Sequence, residues 1–146
     1  MQTTLAQSAP ARDRQAMASG RAARTTGRIL SGLSIAFLGM DAIVKVLLIE
    51  PVRAGASQLG YPPETMVPIG ITLLVCTLLY AAPRTAVLGA ILLTGYLGGA
   101  VATHVRILNP LITHAFFPLY LGAFVWGGLL LRDARLRAFL PWRSRD

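Results

Sequence analysis

The chain has 146 residues, of which 54% are hydrophobic and only 14% are charged, and its formal net charge is +8. Soluble domains carry about 25% charged residues, so this composition argues against a soluble domain and favours a membrane protein. The positive charge raises nucleic acid as a partner, but most arginines lie at the two ends of the chain, outside the apolar segments. We therefore expect a lipid bilayer, and no nucleic acid, around this chain.

The first segment, residues 1–26, is rich in Ala, Arg, Ser, Thr and Gln and shows no apolar periodicity. This composition predicts a disordered tail. Met17 is an alternative start to Met1, because the residues before it look dispensable. A secretory signal peptide is not expected, because the apolar run that follows is too long and contains charged residues.

Four apolar segments follow, each near the roughly 20 residues that a helix needs to cross a bilayer. They cover residues 28–49, 66–82, 84–106 and 113–131. Helix is expected because backbone groups in lipid must be satisfied within the segment. Residues 50–65 contain Gly and Pro and predict a loop. The predicted fold is an all-α, polytopic four-helix membrane bundle over residues 27–132, followed by a basic tail over residues 133–146.

Arginines are distributed unevenly between the two sides of this predicted bundle. The two tails carry Arg12, Arg14, Arg21, Arg24, Arg28, Arg132, Arg135, Arg137, Arg143 and Arg145. The two loops on the opposite side carry only Arg53 and Arg106. By the positive-inside rule, both termini are predicted to be cytoplasmic.

Asp41 and Lys45 lie four residues apart within the first apolar segment. Each costs roughly 2.5–3.5 kcal/mol at the centre of a bilayer helix, and an ion pair one turn apart reduces that cost. The predicted orientation places both residues in the outer half of the membrane. Other ionisable side chains are predicted at the same level, because they lie near the outer ends of their own helices. The predicted polar pocket consists of Asp41, Lys45, Glu64, His104, Arg106 and His114.

A purely structural role for the same residues stays open: an internal ion pair, an arginine that reaches the interface, and histidines that cap loops. No metal site is predicted, because His104 and His114 are ten residues apart without a suitably spaced third ligand. Cys76 is the single cysteine and is expected to be a small core residue. Gly95 and Gly99 form a GxxxG pattern, a weak sign of close helix packing, as is the small-residue face of Gly32, Ala36 and Gly39.

Several segments resemble one family. These are GRILSGLSIAFLGMDAIVK, QLGYPPE, LLYAAPRTAVLGAILLTGYLGGAVATHVR and WGGLLLRD. They resemble the DoxX-like family of small bacterial membrane proteins, from about Gly27 to Pro141. The resemblance implies a four-helix bundle in the bacterial cytoplasmic (inner) membrane, related to DoxX and DoxD. Some relatives are associated with a thiosulfate:quinone oxidoreductase, and others with membrane-linked redox or thiol homeostasis. It also implies that Asp41, Lys45, His104 and Arg106 occupy the family's polar signature positions.

Three functions follow as alternatives. The first is a redox-associated subunit, quinone- or thiol-linked, whose pocket binds a quinone or a small anion. Here Lys45 and Arg106 supply positive charge, Asp41 orients Lys45 and His104 relays protons. No cofactor is encoded, so electrons come from a redox partner protein. The others are a small-molecule transporter and a structural scaffold subunit of a membrane complex. Whether the chain is an enzyme, and whether it forms a homo-oligomer, stays open.

Overall fold

The fold comes from a computed structural model that describes residues 9–108, 116–133 and 135–136. Every regular element in these residues is helical. The elements are α1 (Ala9–Val46), α2 (Glu50–Gln58), a short 3-10 turn (Pro63–Thr65), α3 (Met66–Ala81), α4 (Ala86–Arg106) and α5 (Phe117–Arg132). The predicted helices over residues 66–82 and 84–106 correspond to α3 and α4 within two residues at each end.

Two predictions about the ends of the first apolar segment need correction. Helix α1 begins at Ala9, so residues 9–26 are helical where a disordered tail was expected. The segment is rich in Ala and Arg, which are strong helix formers, and it extends a helix that is already nucleated. Part of the predicted loop over residues 50–65 forms helix α2. Pro51 does not interrupt this helix, because it occupies the first turn, where proline is tolerated.

The four long helices contact one another in a closed ring in the order α1, α3, α4, α5. Neighbours run antiparallel: Ser31 of α1 contacts Tyr80 near the end of α3, whereas Lys45 lies against Gly70 near its beginning. One end of the ring therefore holds the C-terminal halves of α1 and α4 and the N-terminal halves of α3 and α5. We call it the cavity end and the opposite end the closed end.

The closed end is packed backbone against side chain around Tyr80, which is fully buried. The Tyr80 hydroxyl donates to the Val125 carbonyl oxygen at 2.8 Å and lies 2.9 Å from Ser31 Oγ. A Cβ at Gly128 would lie 2.6 Å from Ser31 Oγ, and one at Gly89 would overlap the backbone of Tyr80. These contacts pack the described helices closely against one another at this end.

Each long helix exposes large apolar side chains on its outward face. Examples are Ile29, Leu33, Met40 and Ile43 of α1, Ile71, Val75 and Leu78 of α3, Leu88 and Ile91 of α4, and Leu119 and Phe124 of α5. Soluble proteins rarely expose contiguous apolar surface of this extent. Three helices, Met17–Val46, Pro63–Ala81 and Ala86–Arg106, are long and apolar enough to cross a membrane, and Phe117–Arg132 is apolar but shorter. These apolar helices and outward faces indicate a membrane protein.

Candidate functional site

The helices leave a cavity of about 500 Å³ between them at the cavity end. Most of its wall is apolar, and a few polar side chains converge on it. The lining residues are Leu38, Asp41, Lys45, Leu59, Tyr61, Met66, Ile69, Gly95, Tyr96, Leu97, Gly99, Ala100, Thr103, His104, Phe117, Pro118 and Leu121. Small-molecule sites have volumes of roughly 300–1,000 Å³ and this same mixture of apolar wall and a few polar groups. The cavity is the candidate site.

An ion pair forms the polar part of the α1 wall. Lys45 Nζ donates to Asp41 Oδ1 one helical turn away. Gly70 of α3 packs directly beneath it: a Cβ there would lie 2.8 Å from Lys45 Cβ and 2.9 Å from the Ala42 carbonyl oxygen. Since this contact fixes the backbone of α1 next to Lys45, the ion pair is held at a defined height in the cavity.

The α4 wall includes two glycines that leave space for the cavity. A Cβ at Gly95 or Gly99 would meet no atom within 4 Å. The close helix approach predicted from this GxxxG pattern is therefore absent from the described part of the chain, and the same holds for Gly32 and Gly39. The GxxxG spacing identifies a helix face made of small residues, but it does not indicate what that face contacts.

A short segment closes the cavity on one side; we call Leu59–Tyr61 the cap. Its chain reverses at Gly60, where a φ of +74° suits glycine. The Tyr61 hydroxyl lies 3.2 Å from Thr103 Oγ1 of α4. Arg106 Nη2 donates to the Leu59 carbonyl oxygen at 2.6 Å, and its Cζ lies 5.6 Å from the centre of the Tyr61 ring. The last turns of α4 thus hold the cap in place.

The predicted pocket residues separate into groups in the structure. Asp41, Lys45 and His104 line the cavity. Arg106 is not on its wall and contacts the cap instead. Glu64 is exposed in the 3-10 turn, also off the cavity wall. His114 lies outside the described residues.

Sequence reasoning missed four polar or aromatic residues on the wall: Tyr61, Tyr96, Thr103 and Phe117. Tyr96 and Thr103 lie seven residues apart in α4 and therefore share one helical face with Gly99 and Ala100. This face would have identified Tyr96 and Thr103 if uncharged residues had been considered together with charged ones. Tyr61 had no such signal, because its position depends on how the cap folds.

Replacement of Arg106 by alanine is expected to release the cap. Hydrogen bonds to charged groups contribute about 1.5–3 kcal/mol, so cap opening should become more frequent by about tenfold or more. The amides of Leu59, Gly60 and Tyr61 donate to backbone carbonyl oxygens of α2. Their hydrogen exchange, measured by mass spectrometry in nanodiscs, therefore reports the opening.

The matched control for this change is Arg53→Ala, because Arg53 Nε donates to the Leu48 carbonyl oxygen at the other end of α2. Its loss should leave exchange of the three cap amides unchanged. Equal exchange in the wild type and Arg106→Ala would contradict the holding role of Arg106.

Comparison with known proteins supports the resemblance stated from the sequence. Residues 29–128 match the DoxX-like family, which is more than half of the chain. The matched region begins within α1 and ends within α5, and it contains every described residue that lines the cavity. No curated protein and no solved structure matches the chain.

Proposed function

The chain belongs to the DoxX-like family, and on that basis we propose that it is a redox-associated, multi-pass subunit of the bacterial inner membrane that binds a quinone in its cavity. The observation that carries this proposal is the character of the cavity, which has about 500 Å³ of largely apolar space with hydrogen-bond donors at the level of Asp41 and Lys45. Electrons reach the bound quinone from a redox partner protein.

The cavity wall fits the chemistry of a quinone. A quinone has a flat apolar ring, which suits Leu38, Leu97 and Leu121, and carbonyl oxygens that accept hydrogen bonds. The ammonium of Lys45 and the hydroxyl of Tyr61 are donors on the wall. When bound, the quinone supplies the redox chemistry, and the protein supplies position and protons.

The side chains of this chain have separate roles in the proposal. Asp41 holds Lys45 in place by the ion pair between them. Lys45 donates to one ligand carbonyl, and His104, which also lines the cavity, relays protons. Phe117, which lines the cavity, packs edge-on against Phe37, with ring centres 5.5 Å apart, and this contact joins α5 to α1.

The proposed orientation places the closed end in the cytoplasm. Arg28 follows Gly27, and Gly27 packs against the backbone of Arg132. Arg84 lies in the joint between α3 and α4, four residues after Tyr80. Three arginines at one end support a cytoplasmic position for it, and for both termini. In this orientation the cavity opens toward the outer half of the bilayer, and α5, with 16 residues, completes a fourth crossing.

The test is isothermal titration of the purified protein in nanodiscs with a short-chain quinone. We expect saturable binding at one site, weakened at least several-fold by Lys45→Met because a donor is lost. The matched control is Arg53→Ala, which removes a cation from α2 away from the cavity wall. Absence of saturable binding would refute the proposal.

The two other functions predict different results. A scaffold binds no quinone, and a transporter exchanges labelled substrate across proteoliposomes. The dense packing at the closed end, around Tyr80 and Gly128, supports a binding site with one opening over a passage through the bundle.

A further inference from the structure

Lys45 and Arg106 are two of the cations at the cavity end, and together they would favour an anionic ligand. Arg106 is committed elsewhere, because its guanidinium donates to the Leu59 carbonyl oxygen and its Cζ lies 5.6 Å from the centre of the Tyr61 ring. It is not on the cavity wall. Lys45 is therefore the one cation among the described lining residues.

The carboxylate of Asp41 neutralises the charge of Lys45 within the cavity. Asp41 accepts a hydrogen bond from Lys45 and lines the same cavity. The formal charges of this pair sum to zero, because Lys45 contributes +1 and Asp41 contributes −1.

An anion in this cavity faces an unfavourable balance. The Lys45 ammonium attracts a negative charge that enters the cavity. The Asp41 carboxylate one turn away repels that charge to a similar extent, and the anion also loses much of its hydration. An uncharged ligand pays neither cost.

We infer that Asp41 is the specificity-determining residue of the cavity: by neutralising Lys45 it restricts the site to uncharged ligands and excludes small oxyanions. The inference rests on the proposed function, because it concerns the ligand of the same site. It assigns Asp41 a role beyond that of orienting Lys45.

The test uses sulfate as the anionic probe and the only lysine of the chain, Lys45, as the reporter. Sulfate is added at constant ionic strength, with gluconate as the balancing anion. Two quantities are measured: the apparent Kd for the short-chain quinone, and the rate of Lys45 acetylation by acetic anhydride.

In the wild type, we expect sulfate to change neither quantity. In Asp41→Asn, Lys45 is unpaired, and sulfate should raise the apparent Kd for quinone and slow Lys45 acetylation by about tenfold, the factor that corresponds to about 1.4 kcal/mol. The double variant Asp41→Asn with Lys45→Met is neutral again, so its quinone Kd should be insensitive to sulfate. Asp133→Asn is the matched control, because Asp133 follows α5 at the closed end, and it should behave as the wild type does.

Protection of Lys45 by sulfate in the wild type would overturn the inference without any variant, even if Asp41→Asn did not fold. A folded Asp41→Asn protein that remains insensitive to sulfate would overturn it as well. The acetylation readout needs no quinone. Failure of quinone binding with the expected sulfate effects would therefore refute the proposed function and leave the charge-based selectivity standing.

Discussion

Replacement of Gly89 by leucine is expected to abolish assembly of the bundle. A Cβ at Gly89 would overlap the backbone of Tyr80 and Leu79, and backbone atoms cannot move aside as a flexible side chain can. The joint between α3 and α4 is short and is closed by Thr85 Oγ1, which donates to the Leu79 carbonyl oxygen at 2.8 Å. The helices therefore have no slack with which to separate. Overpacking against side chains costs about 1–3 kcal/mol, and here the obstacle is backbone.

The measurement is the yield of monodisperse protein in mild detergent, together with its thermal unfolding midpoint. Gly98→Leu is the matched control: it is the same substitution in the same helix, and a Cβ at Gly98 meets nothing within 4 Å. We expect Gly98→Leu to behave as the wild type does and Gly89→Leu to give little folded protein. Equal yields and midpoints for the two variants would show that α3 and α4 are not packed as described.

Replacement of Gly99 by leucine is expected to eliminate quinone binding while the protein still folds. Gly99 lines the cavity, and a Cβ there meets no atom within 4 Å. The Cβ of the added side chain therefore clashes with no protein atom, and the side chain takes up space that the ligand needs. We expect the apparent Kd to rise by more than tenfold, which corresponds to about 1.4 kcal/mol or more.

Gly98→Leu again provides the control, because Gly98 is the neighbouring residue and does not line the cavity. Its quinone affinity should equal that of the wild type in the same titration. Wild-type affinity in a folded Gly99→Leu protein would contradict the location of the site.

The helices of the chain were largely predictable, and their exact limits and partners less so. Helices α3 and α4 follow from apolar segments of bilayer length separated by Pro83. The N-terminal extension of α1 and the short helix α2 could not be read from apolar content, because their formation depends on helix propensity and on continuity with neighbouring structure. The glycines show the same limit. Gly89 and Gly128 make the close contacts, whereas the GxxxG pattern indicated Gly95 and Gly99 instead.

The candidate site could be predicted at those residues whose placement in a bilayer has a high free-energy cost. Asp41 and Lys45 stand out because charge inside a bilayer is expensive, and His104 follows from the antiparallel order of the helices. Arg106 ends α4 at the same end of the bundle as Asp41 and Lys45, but its contact partner depends on the fold of Leu59–Tyr61. That fold relies on a positive φ at Gly60 and on contacts between distant residues, which local sequence does not specify.

The central claim, that a quinone occupies the cavity beside Lys45, can be tested directly by chemical protection of that residue. Lys45 is the only lysine in the chain, and its side chain is 20% exposed, so acetic anhydride can reach it. The modified peptide is quantified by mass spectrometry in the wild-type protein, with the α-amino group as internal control. We predict that saturating short-chain quinone slows Lys45 acetylation by about tenfold or more, the factor that corresponds to about 1.4 kcal/mol, without affecting the α-amino group. Unchanged acetylation of Lys45 in protein saturated with quinone would contradict the account.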